Sequence, residues 1–170
     1  VFENQTGEDV ALLCADDRGV LDEAAGGRLT GAARRGWFSG EPGRREGPAG
    51  EGLVAGVDAD GLLWVLRDAR VRSLCRRDAL ALRGDHNVLN SLAAAAAACA
   101  AGAPVAAAAE TLRTFAGVPH RLQVAGVVGG VTYVNDSKAT NVAATLKALT
   151  AYAGGVHLVL GGYDKGAEFG

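Results

Sequence analysis

From Ala93 to Ala101 eight of nine residues are alanine, and by propensity the surrounding stretch from about His86 to Ala101 is helix. Gly102 supplies the C′ stop. A second helix is expected to begin near Pro104 at its N1 position and to run through Leu112 to Phe115, where Gly117 ends it. The pair forms an αα-hairpin. The alanine run is too short and too weakly apolar to span a bilayer. Beyond Gly117 the composition turns to β-branched and glycine-rich, so the Val118-Pro119-His120-Arg121 junction suits a domain boundary, with residues 1–117 on one side and 118–170 on the other.

Short apolar runs punctuated by turns flank the helices. Val10 to Cys14 suits a buried strand, with Asp16 and Asp17 placing two carboxylates at its end for a site or a turn cap. Gly26 to Gly52, rich in glycine, arginine and proline, reads as loop with one short strand at Trp37-Phe38. Leu53 to Val57 and Leu62 to Leu66 flank Asp58-Ala59-Asp60-Gly61 as a hairpin, and Leu80-Ala81-Leu82 reads as a further short strand. Downstream, Leu122 to Val134 reads as a hairpin closed by Gly129-Gly130. Val142, Leu146 and Leu149 then recur at helical steps, with Thr140 or Asn141 as N-cap. Val156 to Leu160 reads as a buried strand. The order strand, helix, strand predicts the start of a parallel α/β sheet.

Seventeen basic against nineteen acidic residues give a net charge of -2, which argues against a broad nucleic-acid face or an anionic-membrane surface. Cys14, Cys75 and Cys99 are far apart and off metal-ligand spacing, so they read as buried free thiols in a reducing compartment. With no signal peptide read at the N-terminus, a cytoplasmic protein is expected. The opening Val1-Phe2-Glu3-Asn4, without an initiator methionine, reads as an excerpt of a longer protein.

Chemistry concentrates in Val134 to Asn141, V-N-D-S-K-A-T-N. Asp136 and Lys138, flanked by the hydroxyls of Ser137 and Thr140, stand where a strand hands over to a helix, the place where α/β proteins bind ligands and where helix N–H groups favour anions. The same residue types are ordinary turn and cap formers, and both readings stand on residues alone. Three other polar clusters sit at element ends: G-D-H-N-V-L-N at Gly84 to Asn90, P-H-R at Pro119 to Arg121, and G-G-Y-D-K-G-A-E-F at Gly161 to Phe169.

In order and spacing these strings resemble the Mur ligases, and within them the branch that adds D-glutamate to UDP-N-acetylmuramoyl-L-alanine; N-D-S-K-A-T-N and G-G-x-D-K-G-A-E-F are the most specific. The resemblance covers essentially the whole chain. It implies the later part of a P-loop-type central ATPase domain over 1–117 and the start of a Rossmann-like, amino-acid-binding C-terminal domain over 118–170. It further implies an ATP-dependent ligase of peptidoglycan precursor synthesis, working through an acyl phosphate with ATP and magnesium. The implied partners are small molecules, with neither nucleic acid nor membrane, and the implied state is a monomer.

The resemblance also assigns roles residue by residue. Asn90 matches the asparagine that hydrogen-bonds adenine, for which an amide offers both donor and acceptor, with Asn87 and His86 supporting it. Arg121 matches the arginine that reaches the ATP phosphates; the resemblance gives His120 beside it no role of its own, and it is a candidate only to support Arg121. Asp136 matches the acid on the ribose. Lys138, the catalytic candidate, and Thr140 match residues that meet the incoming amino acid or the reacting phosphate, and Lys165 matches the lysine on the D-glutamate side-chain carboxylate. No G-x-x-G-K-[ST] string occurs in the 170 residues, so the family's phosphate loop and magnesium ligands are expected upstream of Val1 and the isolated chain is expected to be inactive. A hinge is expected at Gly117 to Arg121. Alternatives are another Mur ligase or a folylpolyglutamate synthase-like enzyme, and a non-catalytic nucleotide-binding module.

Overall fold

A computed structural model describes residues 2–162. The chain divides into two compact units that part between Phe115 and Ala116.

The first unit is built on a mixed five-stranded sheet in the order β1 (Val10–Cys14), β2 (Arg34–Pro42), β3 (Leu53–Val57), β4 (Leu62–Arg67), β5 (Arg70–Arg76). β1, β2 and β3 run parallel, whereas β3, β4 and β5 are antiparallel. Because alternate side chains point to opposite faces, Trp37 and Phe38 go to different cores. On one face Phe38, Ala55, Val57, Leu63 and Val65 pack on Val88, Leu92 and Ala96 of α2 (Asp85–Ala100) and Ala109 of α3 (Val105–Thr114). On the other, Leu13, Trp37, Leu53 and Trp64 pack on Val20 and Leu21 of α1 (Arg18–Ala25) and on Phe2 and Leu29. The sheet thus lies between helical layers, an α/β arrangement.

Several sequence expectations are corrected in this unit. The strand expected at Trp37-Phe38 is present but is the nine-residue β2 with a buried centre, so less of the Gly26 to Gly52 segment is loop than expected. Its glycines mark close approach instead of a loop: a Cβ on Gly36 would lie 3.1 Å from Leu12 and Val54, and one on Gly40 would lie 3.1 Å from Leu89. Leu80 to Leu82 is no strand. Leu80 is buried in the core, and the Ala81 N–H donates to the Leu112 carbonyl at the end of α3, 3.0 Å away. The strand is instead β5, hidden in the sequence by its arginines and by a turn at Asp68-Ala69, where both non-glycine residues adopt left-handed φ of 51° and 56°. A bulge in the β4–β5 ladder buries the consecutive Leu74 and Cys75, which removes the expected alternation. Helix α1 adds to the elements expected from the sequence, and Pro104 is the N-cap of α3 rather than its first residue.

The second unit contains the hairpin β6 (Gln123–Val128) and β7 (Val131–Asn135), paired antiparallel, and α4 (Val142–Leu149). Gly129 and Gly130 close the hairpin at φ of 57° and 80°, the left-handed pair that a two-residue turn requires. Asn141 caps α4, its Oδ1 accepting from the Ala144 N–H at 2.8 Å. Val156 to Leu160 forms no strand: among the described residues it joins no ladder, and Val159 is 93% exposed. An apolar run becomes a buried strand only when neighbours satisfy its backbone and cover its side chains. The parallel strand-helix-strand start expected here is therefore absent among the described residues.

Candidate functional site

In the second unit two segments far apart in the sequence's motifs lie side by side. The chain leaves Pro119 through His120 and Leu122, both left-handed at φ of 67° and 46°, with Arg121 between them. The end of β7 turns back at Asn135 to Lys138. Three hydrogen bonds join the two: the Leu122 N–H donates to Asp136 Oδ1 at 3.0 Å, the Lys138 N–H donates to the His120 carbonyl at 3.0 Å, and Asn135 Nδ2 meets His120 Nδ1 at 3.0 Å. Asn135 Oδ1 also accepts from the Ser137 N–H at 3.0 Å.

The result places an arginine, a carboxylate and a lysine on one pair of tied loops. Arg121 and Lys138 are exposed, and neither has an ion-pair partner among the described residues. Asp136 is partly buried and commits Oδ1 to the protein, which leaves Oδ2 for a hydroxyl donor. Thr140 is exposed on the link to α4. Two cationic groups beside one acid suit a ligand with phosphate or carboxylate groups together with hydroxyls. Lys165 lies outside the described residues.

Asn87 and Asn90 belong to the first unit, on the opening turns of α2. Asn87 donates to the Arg83 carbonyl at 2.7 Å and accepts from Asn90 Nδ2 at 3.3 Å. Asn90 is exposed, and its Oδ1 has no protein partner among the described residues, so the acceptor that a purine amino group needs is present. A Cβ on Gly84, which has a φ of 98°, would lie 3.0 Å from the His86 ring. A cleft of about 370 Å³ opens nearby, lined by Arg76, Arg77, Leu80, Arg83 and Asp85 among others. Asp85 and Val88 line it and the two asparagines do not; at about 100° per residue they project from a different side of α2. Arg77 pairs with Asp85 and Arg76 with Asp78, so most of its charge is spent within the protein.

The two carboxylates after β1 divide their work. Asp17 caps α1 through the Val20 N–H. Asp16 accepts from Ser39 Oγ at 2.6 Å, the Gly40 N–H at 2.7 Å and Arg44 Nη1 at 3.2 Å, joining the carboxyl ends of β1 and β2. The sequence left Arg44 unremarked in an arginine-rich stretch; only the fold brings it to Asp16. Among the described residues no three His, Cys, Asp or Glu side chains gather to hold a metal ion. The three cysteines are free thiols, Cys75 and Cys99 buried as expected and Cys14 only partly so, and burial pushes each thiol up from its ordinary value. No helix among the described residues is long and apolar enough to cross a membrane.

No protein-family model matches the chain. It is similar along nearly its whole length to proteins named UDP-N-acetylmuramoylalanine–D-glutamate ligase. That from Acidobacterium capsulatum is 38% identical over 170 residues, covering 99% of this chain and 34% of the relative. The ones from Pelotomaculum thermopropionicum and Alkaliphilus oremlandii are 39% and 33% identical over 169 residues, again 99% of this chain and 34% and 35% of theirs. The chain therefore spans about a third of the length of the curated relatives it matches.

Proposed function

We propose that this chain, which belongs to the Mur ligase family, forms part of an ATP-dependent ligase that joins D-glutamate to UDP-N-acetylmuramoyl-L-alanine in peptidoglycan precursor synthesis in the cytoplasm. The observation that carries the reading is the likeness along 99% of the chain to proteins named for that reaction. The tied loops of the second unit support it, because they present the groups an acyl-phosphate ligase needs for a nucleotide and an anionic amino acid.

In this reading residues 1–117 are the later part of the central ATP-binding domain and 118–170 the start of the amino-acid-binding domain. The Arg121 guanidinium binds phosphate oxygens through two parallel N–H groups. The free Oδ2 of Asp136 accepts from ribose hydroxyls, and the Asn90 amide reads the adenine edge. Lys138 and Thr140 neutralise and orient the D-glutamate carboxylate or the transferring phosphoryl group, and Lys165 takes the other carboxylate. ATP converts the carboxylate of the sugar-linked alanine into an acyl phosphate, and the amine of D-glutamate displaces phosphate from it. Magnesium, when bound, would offset charge on the phosphates. Among the described residues no three His, Cys, Asp or Glu side chains gather to hold it.

The test is a substrate panel on the complete ligase carrying this segment, with UDP-N-acetylmuramoyl-L-alanine, ATP and magnesium. Phosphate release with D-glutamate, and not with L-glutamate or diamino acids, is expected. Release with a different amino acid would reassign the chain within the family, and none with any acceptor would favour a nucleotide-binding module.

A further inference from the structure

We propose that Asn135 is a positioning residue that fixes the presentation of Arg121 to the ATP phosphates, an inference that rests on the nucleotide reading of Arg121 above. Arg121 stands between two non-glycine residues held at left-handed φ, His120 at 67° and Leu122 at 46°. An L side chain persists there only when its surroundings over-determine it. Those surroundings are visible. The His120 N–H is held by Gln123 Oε1 at 2.8 Å, its carbonyl by the Lys138 N–H at 3.0 Å, and the Leu122 N–H by Asp136 Oδ1 at 3.0 Å. The remaining tie, at the imidazole, is made by Asn135.

Both ends of the Asn135 amide are committed. The Ser137 N–H, 3.0 Å away, can only donate, so the oxygen of the amide faces it, and Nδ2 is left to face His120 Nδ1 at 3.0 Å. Nδ1 must then accept, which puts the imidazole proton on Nε2. A neutral amide is the short side chain that supplies a donor and an acceptor together. Asn135 therefore ties the Ser137-Lys138 turn and the His120-Arg121 loop to one side chain at the end of β7. Leucine in its place removes both bonds at nearly the same volume and frees the imidazole. The residue before Arg121 then loses one of the three ties that hold its strained conformation.

The experiment measures steady-state kinetics on the complete ligase carrying this segment, with ATP and D-glutamate varied separately. Asn135→Leu is expected to lower kcat/KM for ATP by about ten- to a hundredfold, as misplacement of a binding group does. A double-mutant cycle separates positioning from a merely structural role. In an Arg121→Ala background Asn135→Leu should add no further loss for ATP, whereas additive losses would overturn the proposal. His120 gives an independent arm should Asn135→Leu fail to fold. His120→Asn keeps an acceptor where Nδ1 stands and should retain the wild-type KM for ATP; His120→Leu should not, and equal behaviour of the two would overturn the clamp. If Arg121→Ala alone leaves the KM for ATP unchanged, the nucleotide reading of Arg121 fails. If it raises that KM while Asn135→Leu does not, only the positioning role fails.

Discussion

The two units of this chain differ in how far their described side chains are buried. In the first, a five-stranded sheet is covered on both faces, and Leu63, Leu92, Ala55 and Val57 have no exposed surface at all. In the second, none of the described residues is fully buried, and Val124, Val127, Val128 and Val131 of the hairpin are more than half exposed. What shapes it is polar: a two-glycine turn, an asparagine cap and the bonds that tie residues 120–122 to residues 135–138. Burial contributes about 25 cal/mol per Å², whereas one hydrogen bond contributes about 1 kcal/mol net. The first unit can therefore hold a fixed scaffold under its asparagines, while the second holds its charged groups by directional bonds that single substitutions can undo.

The largest test of that contrast is a pair of truncations. Leu92→Ala in α2 should cost about 2–5 kcal/mol by denaturant unfolding, and Val127→Ala in β6 less than about 0.5 kcal/mol. Equal costs would break the comparison, since they would mean that the hairpin face is covered in solution. Asp16→Ala should come next, at about 1–3 kcal/mol, because it strands the fully buried Ser39 hydroxyl and the Gly40 N–H. Asn141→Ala should cost about 1 kcal/mol, read as faster amide exchange in α4 with the first unit unchanged.

The smallest effect is on alkaline stability. Burial raises the Cys75 and Cys99 thiols, partly offset by Arg113 and Arg67. Unfolded thiols ionise near about 8.5, so the stability tied to the buried thiols is complete below that pH and is lost as pH rises through the folded values. A Cys75→Ala/Cys99→Ala variant should flatten that decline in unfolding free energy measured from neutral to alkaline pH, and an unchanged slope would assign it to other groups.

Legibility in the sequence follows the same division. Local signals sufficed where local physics decides: alanine propensity placed α2, Gly129-Gly130 the second-unit hairpin and Asp58 to Gly61 the β3–β4 turn, and they narrowed the cap of α4 to Thr140 or Asn141, of which Asn141 caps it. They failed where distant neighbours decide. The strand at Trp37-Phe38 was legible but not its extension over Arg34–Pro42 through Gly36 and Gly40, glycines that admit Leu12, Val54 and Leu89. β5 depends on a glycine-free left-handed turn and on pairing with β4. Val156 to Leu160 has strand composition, yet no partner among the described residues. The motif residues Arg121, Asp136 and Lys138 could be picked out one by one, but the tie through His120 and Asn135 joins positions fifteen residues apart and could not be read along the chain.

The central claim is that the Arg121, Asp136 and Lys138 loops serve ATP and D-glutamate in a ligase. Its most direct test is ATP- and D-glutamate-dependent phosphate release by the complete ligase carrying this segment, compared with its Lys138→Ala variant. A loss of about a hundredfold or more in kcat/KM for D-glutamate is predicted, the scale of removing one group that stabilises charge in the transition state. Wild-type kinetics in that variant would contradict the account.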